Sequence, residues 1–179
     1  AIYTATTLAE KYFAPHNGAA DEHEPQFDGE KVSTLPQVKE AFDHYAASGL
    51  IAAQQDYDNG GMQLPAVVAA ATQSVFLSAN PSTIAYPFLT TAAANVIKAF
   101  GNDQQKATFL PAMFSGKFAG TMALTEPDVG SSLGDLTTSA NPTDQDHYLI
   151  KGQKMFISGG DQDLTENIVH LVLAKIKGA

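Results

Sequence analysis

The chain has 179 residues, and its ten basic residues, all lysine, stand against 19 acidic ones, so the formal net charge is −9. A hydrophobic fraction of 44% excludes a wholly disordered or collagen-like chain. The absence of cysteine excludes disulfides, thiolate zinc sites and cysteine nucleophiles. An acidic chain without arginine also argues against a nucleic-acid partner, which requires a basic surface. We find no signal peptide and no run near the roughly 20 apolar residues of a membrane span, so we expect a cytoplasmic protein.

The first two thirds of the chain carry helical patterns. We expect a short helix that Pro15 stops, a long acidic loop over residues 16–36, and helices beginning at Pro36, Pro65 and about Ile84. The last of these is apolar around most of its circumference, which predicts a central, buried helix. Residues typical of helix ends flank these segments: Gly49, Asn80, Gly101 and Asn102.

A fourth helix is predicted after Asn102, and we expect Pro111 to bend or interrupt it. From about Gly116 onward the pattern becomes that of strands. Strand-compatible segments follow in this order: residues 118–124, 133–140, 147–150, 154–157 and 168–176. The third and fourth flank a Lys-Gly-Gln turn, which predicts a hairpin. Helices followed by antiparallel strands indicate an α+β fold or two separate domains.

Two segments could form a site. Residues 125–132 combine hydroxyls with Pro127 and Gly130, and their backbone N–H groups could bind an anion. On composition alone an ordinary polar loop is the favoured interpretation. Phe156 and Ser158 would share one face of a strand, so that one stacks on a flat ring and the other hydrogen-bonds its edge. The alternative is a core phenylalanine beside a turn.

Other common sites are poorly supported. Asp56 and Asp58 resemble the start of a calcium loop, but the later ligand positions hold Gly60 and Val67. Asp21, Glu22, His23 and Glu24 could be imagined as metal ligands, but they are adjacent in one acidic loop, where solvation is the simpler interpretation. A catalytic triad is poorly supported, and the sequence has no Gly-x-Gly-x-x-Gly and no P-loop. We therefore predict no metal site and no classical nucleotide fold.

Three motifs in order carry a family resemblance. They are GNDQQKATFLP from Gly101, MALTEPDVGS from Met122 and IKGQKMFISGG from Ile150. Together they resemble acyl-CoA dehydrogenases, in which the second motif contacts the flavin and the third covers it. The segments HEPQFDGEKV and TENIVHLVLAKI resemble the methylthiopropanoyl-CoA dehydrogenase-like branch.

The resemblance implies an α+β fold in which an N-terminal helical bundle precedes an antiparallel β-barrel-like domain. Residues 1–117 would be the helical domain and residues 118–179 the first part of the β domain. The C-terminal helical domain would be missing, so we expect an inactive fragment of a longer protein of fatty acid metabolism. The whole enzyme would be an FAD-dependent oxidoreductase that dehydrogenates an acyl-CoA thioester to the trans-2-enoyl-CoA. An acyl-CoA oxidase and a non-catalytic, DNA-associated flavoprotein are the alternatives.

The resemblance also implies site residues and partners. The expected FAD contacts are Met122, Leu124, Thr125, Gly130, Ser131, Phe156 and Ser158, and Ser131 would also lie near the acyl-CoA. No catalytic base is assigned, because the family's catalytic carboxylate comes from the C-terminal domain. An electron-transfer flavoprotein or a similar acceptor, and a homodimer or homotetramer, are expected for the full-length enzyme.

Overall fold

The computed structural model describes residues 1–178, and helices dominate the chain up to Phe114. A π-helical turn over Ala9–Phe13 and a 3-10 turn over Ala14–His16 join the first two helices. The helix expected before Pro15 therefore exists, but Pro15 lies inside a helical turn rather than ending one. The helices of the described residues are α1 Ile2–Leu8, α2 Asn17–Glu22, α3 Pro36–Ala47, α4 Ala66–Ala79, α5 Pro81–Phe100 and α6 Asp103–Phe114.

Most predicted helix ends are confirmed. The Asn80 side chain accepts from the Thr83 N–H at 3.0 Å, and Asn102 forms a capping box with Gln105 at the start of α6. Gly49 has a φ of 75°, which suits a glycine after a helix. The interruption expected at Pro111 is wrong, because α6 continues through it and buries its last turn in the core.

The long loop expected over residues 16–36 is only partly present. It contains α2 and an antiparallel pair, β1 Gln26–Phe27 and β2 Val32–Ser33. The turn between these strands is closed locally, because Asp28 Oδ1 accepts from the N–H groups of Glu30 and Lys31 at 2.9 Å each. We call Gln26–Ser33 the acidic hairpin.

Within residues 1–178, five further strands follow α6, and they do not form a simple antiparallel meander. Strands β3 and β6 are parallel, whereas β4 lies between an antiparallel β5 and a parallel β7. The α+β class is confirmed. The expectation of antiparallel strands is wrong, because the pairing is mixed. Long connections separate β3 from β6 and β4 from β7, as the pairing of parallel strands requires. Residues 1–178 form no closed barrel. The strands are β3 Phe118–Ala123, β4 Ser139–Pro142, β5 Tyr148–Lys151, β6 Asn167–Val172 and β7 Lys175–Ile176.

The hairpin predicted between residues 147–150 and 154–157 does not form. Strand β5 pairs with β4, and residues 154–157 form no strand. The latter lie against residues 124–126 instead, because the Met155 N–H donates to the Thr125 carbonyl at 2.9 Å. A contact across 30 residues thus replaces a local turn.

Two apolar clusters make the core. In the first, the Phe76 ring packs edge-on to Phe13 and Tyr45, with centroid distances of 4.9 Å to each. The second joins α5, α6 and β3, where a Cβ built on Gly120 would lie 2.7 Å from atoms of Ala93 and Met113. Strand β3 therefore rests directly on the helices.

Helix α5 is central, as predicted, but only one of its faces is buried. Ile84 and Ala93 are fully buried, whereas the Phe100 side chain is 85% exposed. Among the described residues, no helix has both the length and the apolar character that a membrane crossing needs.

Candidate functional site

The two candidate segments lie side by side. Strand β3 ends at Ala123, and the next residues, Leu124 and Thr125, face the segment that begins at Lys154. The Lys154 Nζ donates to the Leu124 carbonyl at 2.8 Å, next to the bond from Met155 to Thr125. The structure thus brings together the parts of both motifs that the sequence analysis assigned to one site.

Residues 126–129, within the first candidate segment, form a tight turn. Glu126 and Val129 exchange two backbone hydrogen bonds, at 2.9 and 3.1 Å, so Pro127 and Asp128 occupy the corner. Beyond the turn, Gly130 and Ser131 are exposed. A rigid base therefore presents a polar, solvent-accessible backbone.

Phe156 projects outward at the edge of this turn. Its side chain is 85% exposed and its φ is 58°, a value rare for a residue with a Cβ. The expectation that Phe156 and Ser158 share a strand face is wrong, because Ser158 already lies in the following turn, closed by a 3.1 Å bond from Gly160 N–H to the Ile157 carbonyl. An exposed aromatic ring beside a hydrogen-bonding backbone can stack on a flat ligand.

A buried ion pair lies beneath the two segments. Glu126 and Lys154 approach to 3.0 Å, with 2% and 10% of their side chains exposed. The remaining donors to the carboxylate are the Thr137 N–H and hydroxyl, at 2.7 Å each, and the Thr138 N–H at 2.9 Å. Hydrogen bonds from Thr138 and Thr137 outweigh the effect of burial and hold the pKa of Glu126 well below its ordinary value.

The hydroxyl groups of the site are free of protein partners. The hydrogen bonds within residues 1–178 include none from the side chains of Thr125, Ser131 or Ser158. Met122 lies in β3, shortly before Leu124 and Thr125 in the chain. It is half-buried and pairs with Leu171 of β6. Hydrogen bonds link residues 124–126 to residues 154–155 and extend neither to Ser131 nor to Ser158 in the described part of the chain.

The attachment of the site to the helical part has no signal in the sequence. A Cβ built on Gly159 would lie 3.2 Å from the Tyr86 ring of α5. Asp161 accepts from the Val32 N–H of the acidic hairpin and Asp163 from the Thr34 N–H directly after it, both at 3.1 Å, so residues 161–163 bind the end of this hairpin. No local pattern marks these contacts, which join residues 129 positions apart.

Comparison with known proteins identifies the family. A family model described as "Acyl-CoA dehydrogenase, N-terminal domain" matches residues 3–117. The chain belongs to the acyl-CoA dehydrogenase family. The family resemblance inferred from the three motifs is therefore confirmed.

Relatives within the acyl-CoA dehydrogenase family match most of the chain. It is 38% identical to 3-methylmercaptopropionyl-CoA dehydrogenase of Ruegeria pomeroyi over 93% of its length, and 40% identical to butyryl-CoA dehydrogenase of Syntrophomonas wolfei over 92%. The chain spans 28% of the length of each of these relatives.

Solved structures of this family share the fold. Glutaryl-CoA dehydrogenase from Mycobacterium smegmatis aligns with a TM-score of 0.79 and 26% identity, covering 97% of this chain and 41% of that one. The described residues contain no group of three or more His, Cys, Asp or Glu that could hold a metal ion.

Proposed function

We propose that this chain is the front part of an FAD-dependent acyl-CoA dehydrogenase. Residues 1–117 would be its helical domain and residues 118–179 the start of its β domain, with Ala179 outside the described residues. The observation that carries the proposal is the hydrogen bond between Met155 and Thr125, which puts the exposed Phe156 ring beside a polar turn. The names of the relatives, all acyl-CoA dehydrogenases, support the substrate class.

The residues present fit a flavin. The isoalloxazine is flat and carries polar groups along its edge, so it needs a stacking surface beside hydrogen-bonding groups. Phe156 offers the ring face, and the unpartnered hydroxyls of Thr125 and Ser158 can bind polar edges. Glu126 is neutralised by Lys154, so no free buried charge opposes an uncharged ring.

We assign the contacts along the ligand from ring to phosphates. Leu124 and Thr125 would bind the ring edge, with Met122 beside them, and Phe156 and Ser158 would cover the ring. Gly130 and Ser131 would hold the pyrophosphate through exposed backbone N–H groups and a hydroxyl. Ser131 would also contact the acyl-CoA.

The chemistry needs little from this part of the protein beyond binding and orientation. When bound, FAD would supply the hydride acceptor for the α,β-dehydrogenation of an acyl-CoA to the trans-2-enoyl-CoA, and the base for the α-proton would be a carboxylate outside this chain. The residues of this chain orient the ring, exclude water from one of its faces and satisfy its polar edge. None of the acids in the chain is proposed as the base.

We also propose that the full-length enzyme is a homodimer or homotetramer in the cytoplasm, acts in fatty acid metabolism and passes electrons to an electron-transfer flavoprotein. These proposals rest on the family alone.

The activity is tested on the full-length protein. Anaerobic addition of a short acyl-CoA, such as butyryl-CoA or a methylthiopropanoyl-CoA, should bleach the visible flavin absorbance and reduce an electron-acceptor dye. Absence of bleaching with a series of acyl-CoA thioesters overturns the proposal. Stoichiometric peroxide release in air would instead indicate an oxidase.

Phe156 and Phe100 form a matched pair for testing the site, because each side chain is 85% exposed. We expect Phe156→Ala to weaken FAD binding by about fivefold or more, as the loss of one stacking contact of about 1 kcal/mol implies. Phe100→Ala should leave FAD binding unchanged. Equal dissociation constants for the two variants, measured by flavin fluorescence, would remove Phe156 from the site.

A further inference from the structure

We infer that Lys154 is a positioning residue of the flavin site, an inference that rests on the proposed function. Its ammonium group donates to the Leu124 carbonyl at 2.8 Å and to the Glu126 carboxylate at 3.0 Å. The adjacent Met155 N–H donates to Thr125 at 2.9 Å. Two consecutive residues of one segment therefore bind three consecutive residues of the other.

The contact with Leu124 orients a backbone donor. In a trans peptide the carbonyl of one residue and the N–H of the next point in opposite directions. With the Leu124 carbonyl directed at Lys154, the Thr125 N–H must point away from Lys154. No acceptor for that N–H occurs within residues 1–178. Lys154 thus presents the Thr125 N–H, together with its hydroxyl, to a ligand.

The contact with Glu126 fixes the lysine itself. A buried ammonium group needs an opposite charge, and Glu126 supplies one that three Thr137 and Thr138 donors already hold in place. The carboxylate thereby links the turn after β3, the residues before β4 and the segment that carries Phe156. The ion pair sets the spacing between the ring-stacking and hydrogen-bonding sides of the site.

The test uses the full-length flavoprotein and three variants: Lys154→Met, the double variant Glu126→Gln/Lys154→Met, and Lys151→Met as the control. Lys151 is exposed at the end of β5, three residues before Lys154. Lys154→Met should weaken FAD binding by about tenfold to a hundredfold, as expected for a lost hydrogen bond to a charged group. It should also shift the visible absorption bands of the bound flavin. Lys151→Met should change neither.

The double variant separates positioning from stability. It leaves no unpaired buried charge, so its thermal stability should recover toward that of the wild type. Its FAD affinity and flavin spectrum should stay impaired, because the Leu124 carbonyl still lacks its donor. If Lys154→Met does not fold, the double variant carries the test.

Two results would overturn the inference, and they differ in whether the proposed function stands. The first is that the double variant recovers both stability and FAD binding, or that Lys154→Met binds FAD as the wild type does. In either case the ion pair only stabilises the fold, while the proposed function stands. A wild-type protein that neither contains nor takes up FAD overturns the proposed function and this inference with it.

Discussion

The helical part and the β part of the molecule differ in where their order comes from. Helices α3, α5 and α6 carry their own end signals; α3 to α5 border the aromatic cluster of Phe13, Tyr45 and Phe76, and α6 packs on α5 in the second cluster. The strands are short, and β5 is exposed along its whole length. Among the strands of residues 1–178, only β3 is largely buried, and it lies on α5 and α6. The β part thus depends on the helices for its core, and the candidate site begins where β3 leaves them.

The largest expected effect tests the independence of the helical core. Phe76 is fully buried, so Phe76→Ala should lower the free energy of unfolding by about 3–5 kcal/mol. Phe27→Ala, at an exposed position of the acidic hairpin, should change it by less than about 0.5 kcal/mol. Denaturant unfolding followed by circular dichroism measures both. Similar losses would mean that the aromatic cluster is not the core of the helical part.

The next effect tests whether the β part rests on the helices. A methyl group at Gly120 would meet Ala93 and Met113 at 2.7 Å, so Gly120→Ala should cost about 1–3 kcal/mol of stability through overpacking. Gly18→Ala places the same methyl group where no atom lies within 4 Å, and should be neutral or slightly stabilising. Thermal unfolding compares the two. A neutral Gly120→Ala would separate β3 from α5.

A smaller effect tests the local signals of the helical part. Asn102 caps α6, so Asn102→Ala should cost about 1 kcal/mol. Gln104 is exposed in the same first turn, and Gln104→Ala should have little effect. Urea unfolding midpoints distinguish them. An unaffected Asn102→Ala would show that tertiary packing alone holds the start of α6.

The smallest effect is a pH dependence located in the helical part. Burial is the main cause that lowers the pKa of His16 below 6.5, outweighing the Tyr12 carbonyl and Glu40. The unfolded chain therefore binds the proton at higher pH than the folded protein does. Stability should be fully present above pH 6.5 and fall as the pH drops below that value.

This pH effect can be isolated from that of the β part. The carboxylate of Glu126 loses its contribution only below its ordinary pKa of 4.5, so unfolding measured between about pH 5.5 and 7.5 reports on histidine. His16→Gln should flatten the dependence, whereas His147→Gln, at an exposed position, should not. A slope that survives His16→Gln would assign it to another group.

The helical elements were predictable because their signals are local. Pro36, Asn80 and Asn102 each satisfy or avoid backbone groups within one turn, so a short stretch of sequence is sufficient. The pairing of the strands was less predictable. The pairing of β4 with both β5 and β7 combines residues up to 36 positions apart, and the periodicity of a strand does not name its partner.

The candidate site also has a part that the sequence predicts and a part that it does not. The motifs around Thr125 and Phe156 were visible as patterns, and the family to which they point is confirmed. The ion pair of Glu126 and Lys154 was not visible, because both residues read as ordinary surface charges until the fold buries them. The attachment of Asp161 and Asp163 to the acidic hairpin was equally hidden.

The family, the α-then-β order and most helix ends could be predicted from the sequence, since they depend on neighbouring residues or on short motifs. The parallel pairing of β3 with β6, the outward direction of Phe156 and the buried charges of Glu126 and Lys154 became visible only in the folded chain. Those features arise from contacts between distant segments, whose free energy depends on what water is excluded and which polar groups meet. Short-range patterns contain no information about either.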